Sequence, residues 1–276
     1  MNWLPEPDGW RKQYEKDGYL VVENAIDRAL LGQMRDALER IEREFTQDTL
    51  PLQLRRWISV ERERSREQRV GGSSDSEAIS IIMELPLFDP LFANLIVYPR
   101  VLDVLEVLFA TTEYSFHNYK AICKMPGNAA PFRWHRDLPY LQHTSPNLIT
   151  CMLCLDDMTE ENGATVVCPG SHLIPHESVK PEDVDMAEAD VPSERVTVVC
   201  PAGSAVLFHV NIVHGGGPNV SATKRRNVIG IWAGPETYPT IPQRFAYQFV
   251  MPRSIDPMRQ KQMQMTFGAH GNTAND

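Results

Sequence analysis

The segment FRWHRDLPY, residues 132–140, places an imidazole and a carboxylate, those of His135 and Asp137, two positions apart. The flanking aromatic residues are typical of a strand, and side chains two apart on a strand point to the same face. A neutral imidazole nitrogen and a carboxylate oxygen are a mixed pair of metal ligands. An HxD pair alone is weak evidence, because most such pairs are incidental surface groups. A metal site therefore needs a third ligand from elsewhere in the chain.

The strongest candidate for the third ligand is His214, in the segment NIVHGGGPN. It follows an apolar strand and precedes glycines that let the backbone turn sharply. Two histidines and one carboxylate form the facial triad of non-haem Fe(II) oxygenases, which leaves the opposite coordination positions open for a cosubstrate and oxygen.

Two arginines follow His214 by eleven and twelve residues, and Arg225 and Arg226 open the strand RRNVIGIW. A buried guanidinium near such a metal can hold a dicarboxylate through a bidentate pair of hydrogen bonds. The alternative is an exposed, charged strand edge. Both faces of this strand are half apolar, so periodicity does not decide which arginine points inward.

The order of these motifs resembles the phytanoyl-CoA dioxygenase family. HxD is followed by DDMTEENGATVVCPGSH (156–172), a Pro-Ala-Gly-Ser turn and H-x10-R, and ENGATVVCPGSH is the most family-specific part. The resemblance covers most of residues 12–235. It implies a mainly β fold, a double-stranded β-helix (a jelly roll of the cupin type) with N-terminal and flanking helices.

The resemblance also implies roles for individual residues. His135, Asp137 and His214 match the family's iron ligands and so its catalytic centre. Arg225 matches the arginine that binds the distal carboxylate of 2-oxoglutarate, and Thr165 is a candidate to give its hydroxyl to the same cosubstrate.

Two positions affect which of the family's residue roles are expected in this chain. Many relatives have a hydroxyl residue two places after the distal histidine, where this chain has Gly216. The carboxylate clamp is therefore expected to have fewer partners. Related halogenases have a small residue in place of Asp137, so its presence argues against halogenation.

The implied function is oxidation of a small organic molecule, such as a natural-product or lipid-like acid, by Fe(II), 2-oxoglutarate and O2. Hydroxylation is the default outcome, with desaturation or rearrangement as variants, succinate and CO2 as coproducts and ascorbate as reductant. Two alternatives stay open because a fold does not determine function. One is an inactive ligand-binding or sensor protein, and the other is a cupin-type metal isomerase or hydrolase that needs neither Arg225 nor 2-oxoglutarate.

Composition narrows the class of protein. The 276 residues are 42% hydrophobic, enough for a sizeable core, and the net charge of −9 argues against a nucleic-acid binder. The sequence contains no run of eighteen apolar residues, so no membrane span is expected. The N-terminus lacks a signal-peptide pattern, and we therefore expect a cytoplasmic location. The five cysteines are expected to be free buried thiols. The expected partner is a small-molecule substrate, and a homodimer is left open.

We predict one oxygenase domain over residues 1–276. Its helical N-terminal part covers about 1–110, its β-helix core about 111–251, and its tail 252–276.

Two helical segments are predicted in the N-terminal part. An amphipathic helix begins after Asp27, and a second helical stretch runs through 87–109 with Pro99 starting its second half. Residues 46–80 between them are predicted to form a lid over the substrate.

Overall fold

Two antiparallel sheets and a layer of helices make up the computed structural model, which describes residues 7–61, 77–127 and 130–254. The strands are β1 (Tyr19–Val22), β2 (Ile58–Val60), β3 (Ile79–Met83), β4 (Ser115–Lys124), β5 (Phe132–His135), β6 (Leu148–Cys154), β7 (Thr165–Val167), β8 (Val196–Thr197), β9 (Ala205–His209), β10 (His214–Gly216) and β11 (Arg225–Ala233). The α-helices are α1 (Pro7–Asp17), α2 (Arg28–Thr46), α3 (Leu52–Arg55), α4 (Pro90–Asn94), α5 (Pro99–Phe109) and α6 (Leu138–Leu141).

The larger sheet has the strand order β1-β9-β6-β11-β4-β3-β2, and the smaller sheet has the order β5-β10-β7-β8. All pairings are antiparallel, and strands far apart in sequence lie side by side in both sheets. This arrangement agrees with the mainly β jelly roll that the sequence resemblance implied.

The helices cover one face of the large sheet. Helix α2 begins where predicted, because the Asp27 side chain accepts a hydrogen bond from the Leu30 amide at 2.8 Å. Its apolar face, including Met34 and Ile41, packs in one cluster with residues of α5 and with Trp232 of β11. The predicted stretch 87–109 is divided into α4, a 3-10 turn and α5, and Pro99 begins α5 as expected.

The other face of the large sheet packs against the small sheet. Met152, Val206 and Ile229 from the large sheet meet Val167 of the small one in a second apolar cluster. Alternate residues of β11 therefore face two environments, the helices or the space between the sheets. The space between the sheets is where a site must lie if it is to use residues from both.

The N-terminal part is not only helical, since β1, β2 and β3 belong to the large sheet. Residues 62–76, the middle of the predicted lid, and 255–276, most of the predicted tail, lie outside the described residues. Among the described residues, no helix is both long and apolar enough to cross a bilayer. All five cysteines are free and buried, as predicted.

Candidate active site

The three predicted ligands lie close together beside the paired strands β5 and β10 of the small sheet. His135 closes β5, His214 opens β10, and the two are paired directly across the ladder. One ligand atom from each of His135, Asp137 and His214 can be chosen so that all lie within 4.8 Å of one another. The Asp137 Oδ1 atom lies 3.8 Å from His135 Nε2 and 4.0 Å from His214 Nε2.

The prediction that His135 and Asp137 share a strand face was wrong. Strand β5 ends at His135, and Asp137 has helical dihedral angles of φ −74° and ψ −32° just before α6. The Asp137 amide donates to the Val210 carbonyl at 2.9 Å, so the chain has left the ladder. Pro139 in the first turn of α6 favours this helix start. The carboxylate reaches the histidines through this turn.

Arg136, between the two ligands, holds the turn in place from the other side. Its guanidinium is buried, pairs with Asp183 at 3.3 Å and donates to the Ser171 carbonyl at 2.7 Å. Arg136 thus points away from the ligands and anchors the turn that carries Asp137.

A hydrogen bond orients each of the three side chains and leaves one of its polar atoms free, which is what a metal site requires. The Nδ1 atoms of His135 and His214 lie 2.7 Å and 3.1 Å from the carbonyls of Arg133 and Ile212. A carbonyl accepts only, so each Nδ1 carries the proton and each Nε2 keeps its lone pair. The Asp137 Oδ2 atom accepts from the Thr150 hydroxyl at 2.9 Å, which leaves Oδ1 for a metal.

The charge states suit the same purpose. Burial, followed by the neighbouring His214, lowers the pKa of His135 to about 3, and burial lowers the pKa of His214. Burial raises the pKa of Asp137, but His214, Lys120, His135 and the Thr150 hydrogen bond outweigh it and lower the pKa overall. Two neutral imidazoles and an ionised carboxylate therefore face one point at neutral pH. These donors fit Fe(II) in a facial triad.

Arg225 lies beside this point as a buried cation. Its side chain lines the same pocket as all three ligands and Thr165, and the residue is 3% exposed. Burial lowers the pKa of Arg225 to about 10, so it stays charged at neutral pH.

The contacts of Arg225 leave its charge unmatched. Its Nη1 atom lies 3.5 Å from Met158 Sδ and, with the Asn227 amide oriented to satisfy both of its polar atoms, 2.8 Å from the Asn227 oxygen. Its Nε atom has no hydrogen-bond partner, and no carboxylate of the described residues forms an ion pair with it. An unmatched buried guanidinium is costly unless an anion binds there, which fits the far carboxylate of 2-oxoglutarate.

Arg226 has the opposite orientation. Its guanidinium forms a two-point contact with Asp156, at 2.9 Å and 3.0 Å, and bonds Glu39 of α2 at 3.0 Å. The structure thus resolves the choice that periodicity left open, with Arg225 facing the pocket and Arg226 the helices.

Thr165 and Gly216 lie on neighbouring strands of the pocket wall, paired across β7 and β10. The Thr165 hydroxyl has Met152 Sδ at 3.8 Å as its contact. A Cβ atom at Gly216 would lie 3.4 Å from the Lys124 ammonium and 3.2 Å from the Ala164 carbonyl. A side chain at position 216 would therefore be crowded first by the Ala164 carbonyl.

A larger cavity of about 460 Å³ opens outward from the triad. Its wall includes a run of polar residues of β4 that the sequence analysis missed: His117, Asn118 and Lys120. A β-bulge explains their position, because Asn118 pairs with Ile231 while Phe116 pairs with Trp232, which leaves His117 as an extra residue. Alternation breaks there and brings His117 and Asn118 to the same cavity. A bulge has no clear sequence signal, although the polar run HNYK could have been noted.

Two further histidines lie away from the triad. His172 Nε2 is 3.2 Å from the Glu15 carbonyl, and His209 Nδ1 accepts from the Asn211 amide at 3.1 Å. Their rings lie 5.3 Å apart, and His209 also contacts Tyr14. Both histidines pack between α1 and the sheets.

Comparison with known proteins places this site in a family. The sequence matches the phytanoyl-CoA dioxygenase (PhyH) family over residues 14–227, a range that covers most of the chain and includes His135, Asp137 and His214. The chain belongs to the phytanoyl-CoA dioxygenase family. It is thereby classed with the iron- and 2-oxoglutarate-dependent dioxygenases, as the resemblance implied.

Individual relatives are more distant. The protein named probable alpha-ketoglutarate-dependent hypophosphite dioxygenase of Stutzerimonas stutzeri is 32% identical over 152 residues, 51% of this chain and 52% of that protein. L-proline trans-4-hydroxylase of Streptomyces griseoviridis is 25% identical over 240 residues, 77% of this chain and 81% of the hydroxylase. The chain thus spans about half the length of the first relative and most of the second.

Solved structures agree on the fold. AviO1 from Streptomyces viridochromogenes Tue57 superposes with a TM-score of 0.67 at 22% identity, covering 85% of this chain and 97% of that one. This confirms the predicted jelly roll.

Proposed function

We propose that this protein is an Fe(II)- and 2-oxoglutarate-dependent dioxygenase that hydroxylates, or alternatively desaturates or rearranges, a small organic molecule such as a natural-product or lipid-like acid. The main evidence is that His135 Nε2, Asp137 Oδ1 and His214 Nε2 converge on one point. The buried guanidinium of Arg225, which has no carboxylate partner among the described residues, lines the same pocket. When bound, iron with 2-oxoglutarate and O2 supplies the oxidising power, and succinate and CO2 leave as coproducts.

The chain's own residues have three tasks in this proposal. The triad holds the metal through atoms whose protonation is already set, so binding releases no proton from the histidines. Arg225 holds the far carboxylate of 2-oxoglutarate by charge-assisted hydrogen bonds, and Thr165 lies where its hydroxyl can add another. The outer cavity takes the substrate and keeps it next to the metal while limiting access of water.

Arg225 also separates this proposal from the alternatives. A metal isomerase or hydrolase on the same fold has no use for a buried cation without a counterion. A sensor without turnover would keep the same pockets, so only a measurement of products distinguishes it. Ascorbate dependence remains a prediction.

The metal assignment predicts one Fe(II) per chain. His135→Ala should lower iron content after anaerobic loading and dialysis to near zero and abolish succinate formation, because two ligands remain. Metal analysis of the wild-type protein and the variant measures this. His172→Ala is the matched control, since His172 packs against α1, and it should retain iron. Stoichiometric iron in His135→Ala would show that the triad is misassigned.

A further inference from the structure

Lys120 of β4 lies where the metal pocket and the outer cavity meet. It lines both, together with His135 and Asp137. The residue is half-buried, and no carboxylate of the described residues forms an ion pair with its ammonium. A lysine that lines a ligand cavity without a carboxylate partner is suited to bind an anionic group of a ligand.

The other lysine of the same strand has its charge satisfied by the protein. Lys124, four residues on, donates to the carbonyls of Gly163, at 3.0 Å, and Gly217. Asp137 is the acidic residue near Lys120, but its Oδ2 atom is taken by Thr150 and its Oδ1 atom faces the metal position. The charge of Lys120 is thus left for a ligand.

A second, independent observation concerns His117 on the same wall. Its Nδ1 atom accepts from the Gln248 amide at 3.1 Å, and the Gln248 oxygen in turn lies 3.4 Å from the Phe245 amide, which fixes the direction of that bond. The proton of His117 is therefore on Nε2, and this atom is buried without a partner. Burial, then His143 and Lys120, lower the pKa of His117 to about 3, so it is a neutral donor.

Asn118 adds a third polar group. It is 3% exposed, and its Oδ1 atom is also buried without a partner. Aromatic residues also line the cavity, including Phe132, Tyr140 and Phe245. The β4 wall therefore offers a cation, a neutral N–H donor and an amide oxygen, while two further charged lining residues, Arg133 and Asp185, pair with each other.

We infer that Lys120 binds a carboxylate of the substrate, with the His117 Nε2–H as a second donor, and so selects acids over their neutral analogues. The inference rests on the proposed function and names the residue that recognises the substrate class. The 2-oxoglutarate carboxylate has its own cation in Arg225. Lys120 is a specificity-determining residue on the substrate side of the metal.

Binding of matched acid and amide probes tests this without knowledge of the natural substrate. Decanoate and 4-phenylbutanoate, with decanamide and 4-phenylbutanamide, are titrated by calorimetry into anaerobic protein loaded with Fe(II) and 2-oxoglutarate. We expect at least one acid to bind about tenfold more tightly than its amide, because only the acid has a negative charge to pair with the ammonium. Lys120→Met should abolish that preference, and Lys120→Arg should keep it.

The controls separate the inference from the proposed function. Lys16→Met, whose side chain is 83% exposed, should leave all four affinities unchanged. The affinity for 2-oxoglutarate is measured first in each variant, and Lys120→Met should keep it within about twofold of wild type. If the wild type binds no 2-oxoglutarate, the proposed function fails, and the probes are then compared on protein loaded with Fe(II) alone.

Three results would overturn the inference. One is that no acid binds more tightly than its amide. Another is an acid preference that survives in Lys120→Met. The third is a tenfold loss of 2-oxoglutarate affinity in Lys120→Met, which would assign Lys120 to the cosubstrate.

Discussion

At the scale of single residues, each of the three ligand side chains has one polar atom held by a hydrogen bond and a second polar atom free for the metal. The HxD pair and the distal histidine were predictable as a candidate metal site from their residue types and spacing, whereas the choice of Arg225 over Arg226 came from the family resemblance. Thr150 was not, because a threonine in an apolar strand has no signal until Asp137 is found 2.9 Å away. Partners of this kind depend on the folded geometry alone.

Thr150 gives the first residue-scale prediction. Thr150→Val removes the hydroxyl donor to Asp137 while keeping the shape of a residue that is 1% exposed. Loss of such a partner typically costs about 10–100-fold in metal affinity. Competition with a calibrated chelator should show weaker Fe(II) binding in this range. Thr144→Val, on an exposed hydroxyl, is the control, and equal affinities in all three proteins would refute the role of Thr150.

At the scale of elements, β11 packs against the helices with one face and lines the candidate active site with the other. Its Trp232 packs with the helices, while Arg225 and Asn227 line the pocket. Strand type and approximate position were predictable from the run RRNVIGIW. The end of β5 at His135 and the bulge at His117 were not, because both arise from long-range pairing and not from local composition.

Gly230 in the middle of β11 gives a prediction about this element. A Cβ atom there would lie 2.5 Å from Trp232 Cη2 and closer still to the Tyr119 ring. Gly230→Ala should therefore reduce the free energy of unfolding by about 1–3 kcal/mol through overpacking. Chemical denaturation measures it.

Gly32 on α2 is the matched control for Gly230. A Cβ atom at Gly32 meets nothing within 4 Å. Gly32→Ala should raise the free energy of unfolding by about 0.5–1 kcal/mol, because alanine is the better helix former. A stabilising Gly230→Ala would mean that the rings move aside without cost.

At the scale of the whole molecule, the packing of helices and two sheets buries several histidines in neutral form. Burial, then His143 and Lys120, lower the pKa of His117 to about 3, and burial, then His172 and Arg136, lower that of His209 to about 4. An unfolded histidine takes up its proton near pH 6.5. Between these values the unfolded chain binds more protons, so stability must fall as the pH falls.

The predicted size of this effect is about 1.4 kcal/mol per pH unit for each such histidine between about pH 6 and 4. Glu84 acts in the opposite sense, because burial raises its pKa and its protonation stabilises the fold as the pH falls. Urea unfolding of metal-free protein at pH 7 and pH 5 should show a lower midpoint at pH 5. His209→Gln should reduce the difference, and a midpoint that rises on acidification would contradict this account.

The order of elements around the site was predictable at this scale, because the family resemblance spans most of the chain. The three strands contributed by the N-terminal part were harder to predict, since β2 and β3 are short and gain their stability from pairing at the sheet edge. The surroundings of the metal were therefore better predicted than the outer wall of the substrate cavity.

Titration of 2-oxoglutarate into anaerobic Fe(II)-loaded protein tests the central claim most directly. A charge-transfer absorption band should appear and saturate at one equivalent. Arg225→Gln should raise the required 2-oxoglutarate concentration at least tenfold, since about 1.4 kcal/mol is tenfold and a charged hydrogen bond contributes about 1.5–3 kcal/mol. Arg225→Lys should restore part of the affinity, because an ammonium cannot supply the planar pair of donors. Arg226→Gln should lower the melting temperature through its lost contacts with Asp156 and Glu39 but keep the wild-type titration. The account is contradicted if no band forms in the wild type, or if Arg226→Gln weakens 2-oxoglutarate binding while Arg225→Gln does not.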